Sequence, residues 1–262
     1  METTLFSIWR RFARGARLVL LIAAASVAIG AAAQPAPAPL TVVFDDCSEF
    51  AGLGSLPAVQ IQGLVPAGYT PASFGPGVAG LVARAARCER VSVGGGPAER
   101  GTVSQIGVNL VSPDGTGDIN NYALLYVTDS LRLAERLRRF GLPARLDPKM
   151  IYEVNPAAAS LELFIQVHGV ADVSHVLHGS VGDPPPGGES PFLANWWFTS
   201  AAGRMRMSTQ IPAFAAGPAD VALYTSRASE LGTVLGMNRF VFPLLSLRGK
   251  FSHAVMTVTS SQ

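Results

Sequence analysis

Residues 161–168 read Leu161-Glu162-Leu163-Phe164-Ile165-Gln166-Val167-His168. In an extended chain this puts Leu161, Leu163, Ile165 and Val167 on one face and Glu162, Phe164, Gln166 and His168 on the other, the period of two of a half-buried strand. Outward from it in both directions the same kind of segment recurs, at 59–64, 78–93, 103–111, 122–127, 151–154, 175–180, 193–199, 205–211, 221–225, 244–247 and 255–259. Gly, Pro, Asn and Asp separate these runs, as in Ser112-Pro113-Asp114-Gly115-Thr116-Gly117-Asp118 and Gly182-Asp183-Pro184-Pro185-Pro186-Gly187-Gly188. Many short strands divided by turn residues predict a mainly β chain, a closed or nearly closed antiparallel β-barrel with one or two short peripheral helices.

The helices are the exceptions to that period. Over 129–140, Leu133, Leu137 and Phe140 fall on one side and Arg132, Arg136 and Arg139 on the other. Gly141 stands where a left-handed cap ends a helix, and Pro143 prevents its continuation. A shorter helix is expected over 229–235.

The chain has 262 residues, 48% hydrophobic and 15% charged. So apolar a composition excludes a disordered chain. Of 20 basic and 18 acidic side chains, residues 1–33 hold Arg10, Arg11, Arg14, Arg17 and Glu2, which leaves 16 basic and 17 acidic groups in the body. The body offers no electrostatic reason to bind nucleic acid.

The arginines at 10–17 precede an apolar run that ends at Ala31-Ala32-Ala33. Basic segment, short apolar stretch and A-x-A site describe a secretory signal peptide over 1–33, and the run is shorter than the roughly 20 residues that span a bilayer. An uncleaved anchor is the alternative. Residues 34–39 form a Pro/Ala-rich spacer, and 40–262 are expected to make a single β-barrel domain, secreted or periplasmic. Contact with a membrane is then limited to the signal segment before cleavage. Outside the cytosol Cys47 and Cys88 are expected to form a disulfide, with two buried thiols as the alternative.

Several motifs carry less than they suggest. Gly75-Pro76-Gly77-Val78-Ala79-Gly80 matches G-x-G-x-x-G, but the prolines and the β-like sequence after it make it a turn rather than a dinucleotide loop. His175 and His178, three apart in a strand, face opposite ways and cannot share a metal ion. No G-x-S-x-G elbow exists, and no metal or cofactor is expected. Asn195-Trp196-Trp197-Phe198 puts aromatic rings on both faces of one strand, suited to a barrel wall or to a well-packed core strand. Arg204 and Arg206 share a face, and Asn120, Asn121 and Tyr122 gather amides and a phenol before a strand.

Tyr122 to Leu146 resembles the acetoacetate decarboxylase superfamily, in which a strand and a short helix lead into G-[FY]-P-K-K-L. Here that segment reads Gly141-Leu142-Pro143-Ala144-Arg145-Leu146. Gly63-Leu64-Val65-Pro66-Ala67-Gly68-Tyr69 is similar to the family's Pro-x-x-Tyr segment. The resemblance implies a closed barrel with an apolar interior. It also implies that the first lysine of the motif, the Schiff-base residue, is replaced by Ala144, and its cationic neighbour by Arg145. Alanine has no amine and arginine stays protonated, so imine chemistry is unavailable there.

The expectation is therefore an exported barrel that binds a small apolar carbonyl or carboxylate compound. Arg145, Asn120, Asn121, Tyr122, Asn195, Trp197 and Arg206 are the candidate ligand-binding residues. One alternative is a lyase- or isomerase-type enzyme working through Lys149 or His178 as acid or base. Another is a non-catalytic envelope protein with a side-chain-filled barrel. The sequence is compatible with a homo-oligomer and specifies none.

Overall fold

The computed structural model describes residues 38–158, 160–169 and 173–261. The expected signal peptide, and the spacer as far as residue 37, lie outside the described residues. No helix among the described residues is long and apolar enough to cross a membrane.

The elements run β1 (Leu40–Pro57), α1 (Ala58–Gln62), β2 (Ser73–Gly75), β3 (Val78–Val93), β4 (Glu99–Asn109), β5 (Ile119–Thr128), α2 (Leu131–Arg139), β6 (Arg145–Leu146) and β7 (Ile151–Pro156). There follow β8 (Leu161–His168), β9 (Val173–Val181), β10 (Ser190–Ser200), β11 (Gly203–Tyr224), α3 (Glu230–Leu235), β12 (Arg239–Val241) and β13 (Leu245–Ser260). Strands β10, β5, β4, β3, β1, β13 and β11 pair in that order, and β10 pairs again with β11. Seven strands thus form a ring, a nearly closed barrel. Within the ring the pairing is antiparallel except between β10 and β5, which run parallel, as does the short β6 beside β5.

The segment quoted first is β8, and it belongs to a second sheet. Strands β9, β8 and β7 continue from the far half of β11, whose 22 residues pass from the ring into this sheet. Leu163, Ile165 and Val167 are fully buried, as their alternation requires. They pack with Leu177, Leu223, α3 and the outward residues of the ring wall, including Leu81, Ala83, Ile106, Val108 and Trp197. The inside of the ring holds a separate core: Val42, Phe44, Leu53, Val82, Trp196, Phe198, Met205, Met207 and Met256. Asn195-Trp196-Trp197-Phe198 is where the two meet, one indole directed to each core.

Helix α2 seals one end of the ring. Ser130 caps its start by accepting from the Leu133 N–H at 3.3 Å, Leu133 and Leu137 join the inner core, and Ala134 is buried between them. Gly141, at φ +90°, makes the reversal that a Cβ would strain. At 229–235, Ser229 caps α3 by accepting from Gly232 N–H at 2.9 Å.

One expected strand is absent, and one strand that was not expected is present. Residues 59–64 are not a strand: 58–62 form α1, with Pro57 at its N-cap and only Ile61 buried, while Val59 is 87% exposed. Val59 and Ile61, which an extended chain would put on one face, are turned apart by the helix, whose N-cap Pro57 has no N–H to leave unpaired. The reverse miss is β1, which has no constant period. Leu40, Val42 and Phe44 join the inner core; beyond Asp46, at φ +53°, the inward residues are Glu49, Ala51 and Leu53.

Cys47 and Cys88 are directly paired on β1 and β3 and form the expected disulfide. Pro76-Gly77, at the centre of the G-x-G-x-x-G match, is the turn between β2 and β3, and no helix opens there.

Candidate functional site

The ring is not filled throughout. Away from α2 it encloses a cavity of about 500 Å³. Its walls come from the C-terminal part of β1, the N-terminal parts of β3, β5, β10 and β13, and the middle of β11. Helix α2 follows the other end of β5, so cavity and helix occupy opposite ends of the ring. Leu53, Val82, Trp196, Ile211 and Leu247 give apolar walls, while the exposed Phe74, Asp118 and Leu245 mark the mouth.

The inner end is polar. Arg84 donates from Nη2 to Glu49 Oε2 and from Nη1 to Gln105 Oε1, both at 2.6 Å. Glu49 and Gln105 are buried, and the Arg84 side chain is 14% exposed. Burial by itself would lower the pKa of Arg84; the carboxylate of Glu49 outweighs it and raises the value. Tyr126, buried nearby, is driven well above the usual phenol range by burial, against a smaller opposing effect of Arg84. Nearer the mouth, Asn109 Nδ2 donates to Asn121 Oδ1 at 3.1 Å and to the Asn120 carbonyl at 3.0 Å. Arg84 pairs with Gln105 and Asn109 with Asn121. Four residues along β4 thus separate the two polar levels, about 13 Å at a strand's rise.

Of the candidates named from sequence, Asn120 and Asn121 line this cavity. Asn195 and Trp197 stand behind its wall: Trp197 Nε1 donates to Asn120 Oδ1 at 2.9 Å, and Asn195 Oδ1 accepts from Ser208 Oγ at 2.6 Å. Trp197 therefore does not line the cavity; its neighbour Trp196 does. Tyr122 is also turned outward, its ring 5.0 Å from that of Tyr69.

Arg206 is at the surface over Trp197, 5.6 Å from the ring centre, and is paired with Asp114. Burial would raise the pKa of Asp114, but hydrogen bonds from Thr116 and the charge of Arg206 together hold it lower than usual. Asn120 and Asn195 both donate to the Thr116 carbonyl, so this network fastens the 112–118 loop whose Ser112, Gly117 and Asp118 form part of the mouth.

The remaining candidates lie elsewhere. Arg145 is not among the cavity residues; it pairs with Glu230 at the start of α3. Ala144 is buried in the inner core with Leu137 and Leu142. Lys149 is exposed on a turn where its backbone N–H donates to Asp147 at 3.0 Å. His178 is on the outer face of the second sheet, 2.7 Å from Glu162, while His175 points the opposite way and is wholly buried.

Sequence reasoning missed Glu49, Arg84, Gln105 and Trp196. The available signal was a lone charge inside an apolar run, Glu49 before Phe50-Ala51-Gly52-Leu53 and Arg84 within Leu81-Val82-Ala83-Arg84-Ala85-Ala86.

No family model matches the sequence, and no curated protein matches it. Solved structures do match in shape. An acetoacetate decarboxylase from Legionella pneumophila superposes with a TM-score of 0.52 at 11% identity, over 86% of this chain and 87% of that one. An acetoacetate decarboxylase-like enzyme from Sphingomonas wittichii gives 0.53 at 10% identity, over 85% and 91%. A further acetoacetate decarboxylase structure gives 0.54 at 12% identity, over 91% and 93%. Likeness at such identities speaks for architecture alone, and on that ground this chain has the acetoacetate decarboxylase-like fold.

Proposed function

We propose that this protein binds a small, largely apolar carbonyl or carboxylate compound inside its ring and does so without forming an imine. The observation that carries the reading is the cavity itself: about 500 Å³, with aliphatic and aromatic walls and a few polar groups at its inner end and near its mouth. A mostly apolar pocket with a few directed polar groups is the usual make-up of a small-molecule site. A Schiff base needs an uncharged amine within reach of the ligand. The chain has two lysines and neither lines the cavity: Lys149 is on an exposed turn, and Lys250 Nζ is 2.6 Å from Asp183. We further propose that the protein acts outside the cytosol, a reading that the Cys47–Cys88 bridge supports.

The test is titration of the mature protein with 2-heptanone and with heptanoate by calorimetry. Saturable binding of at least one is expected, abolished by Ala51→Phe, which grows a ring from the wall into the cavity. Sodium borohydride added with the ketone is expected to leave the protein mass unchanged. A reduced adduct on a lysine would overturn the imine-free reading, and failure of both compounds to bind would overturn the cavity's role.

A further inference from the structure

Resting on that reading, we infer that the cavity selects an uncharged carbonyl compound, with its oxygen directed at Arg84, over a carboxylate or an amine of the same carbon skeleton. The charge of Arg84 is already matched. Glu49 pairs with it at 2.6 Å at the inner end, and the only other charged group lining the cavity among the described residues is Asp118 at the mouth.

The cavity lining adds no second cation to the pair. Gln105 is neutral, Tyr126 holds its proton, and Arg248 and Lys250, which share Asp183, do not line the cavity. An anionic ligand would bring an unbalanced negative charge beside Glu49 and past Asp118. An ammonium would add an unbalanced positive charge beside Arg84. A carboxylate is desolvated there with no free cation to meet it, and an ammonium finds a carboxylate only in Asp118, at the exposed mouth, where solvent screens the attraction.

A neutral carbonyl oxygen meets neither obstacle. A guanidinium has five N–H donors, and two of those of Arg84 are engaged by Glu49 and Gln105 among the described residues. Arg84 lines the cavity, and in this proposal its remaining donors serve an acceptor that needs no charge neutralised. Leu53, Val82, Trp196 and Ile211 then cover the alkyl part between the two polar levels.

The experiment compares 2-heptanone, heptanoate and heptylamine at pH 7 on wild-type protein and on Glu49→Gln, again by calorimetry. Wild-type protein is expected to bind the ketone at least tenfold more tightly than either ion. Glu49→Gln leaves Arg84 uncompensated, so the ratio of heptanoate to ketone affinity is expected to rise at least tenfold. An ion that binds wild-type protein as well as the ketone does would overturn the inference while leaving the cavity's binding role standing. An unchanged ratio in a folded Glu49→Gln would also overturn it. If that variant does not fold, the wild-type comparison decides alone. Failure of all three probes to bind would instead remove the underlying reading.

Discussion

His175 has no exposed surface; its Nε2 lies 3.1 Å from Ser104 Oγ and its Nδ1 3.4 Å from Ser174 Oγ. Burial lowers its pKa to about 4, against a weaker opposing pull from Asp147. Above pH 6.5 the ring is neutral in both folded and unfolded chains and costs nothing. Between about 6.5 and 4 the unfolded chain gains a proton that the folded one refuses, so stability falls with pH, by roughly 3 kcal/mol once both values are passed. Urea unfolding at pH 7.5 and 4.5 should therefore show a larger loss for wild-type protein than for His175→Gln, which retains a polar group towards Ser104. Equal losses would refute the assignment. At this scale the sequence was least legible. The motif directed attention to Arg145, whose partner Glu230 is 85 residues away. The ion pair that does line the cavity, Glu49 with Arg84, is brought together only by the β1–β3 register, which no local pattern encodes.

Elements were legible in proportion to the regularity of their surroundings. Helix α2 carried a cap, an apolar stripe and a terminating Gly141, and the structure follows all three. Strand β8 has one buried and one outward face and so displayed its period. Strand β1 alternates only over 40–45, reverses its inward set at Asp46, and is covered on both sides around 49–54, so its 18 residues keep no single period. That double burial makes β1 intolerant of added volume. A Cβ built on Gly52 would stand 2.5 Å from Phe242 Cγ. Gly52→Ala should cost about 1–3 kcal/mol in chemical denaturation, the usual penalty of overpacking, and Phe242→Leu should recover part of it. The disulfide belongs to the same pair of strands. Denatured, unreduced protein should contain no titratable thiol, and Cys47→Ala with Cys88→Ala should lower stability by about 2–4 kcal/mol.

For the molecule as a whole, the mainly β character and the nearly closed barrel were legible because most of the long strands announce themselves locally. The second sheet was not. Its strands have the same period as those of the ring, and only long-range pairing along β11 assigns them to a separate layer. Two interiors follow from this, one inside the ring and one between ring and sheet, divided by a wall one strand thick. Trp196 and Trp197, consecutive on β10, open to different sides of that wall. A ligand in the cavity touches the first indole, whereas the second is sealed behind Asn120 and holds its hydrogen bond there. The fluorescence change on adding 2-heptanone should therefore vanish in Trp196→Phe and persist in Trp197→Phe. Loss of the signal in Trp197→Phe alone would mean that ligand enters between the layers, and the inside of the ring would no longer be the binding compartment.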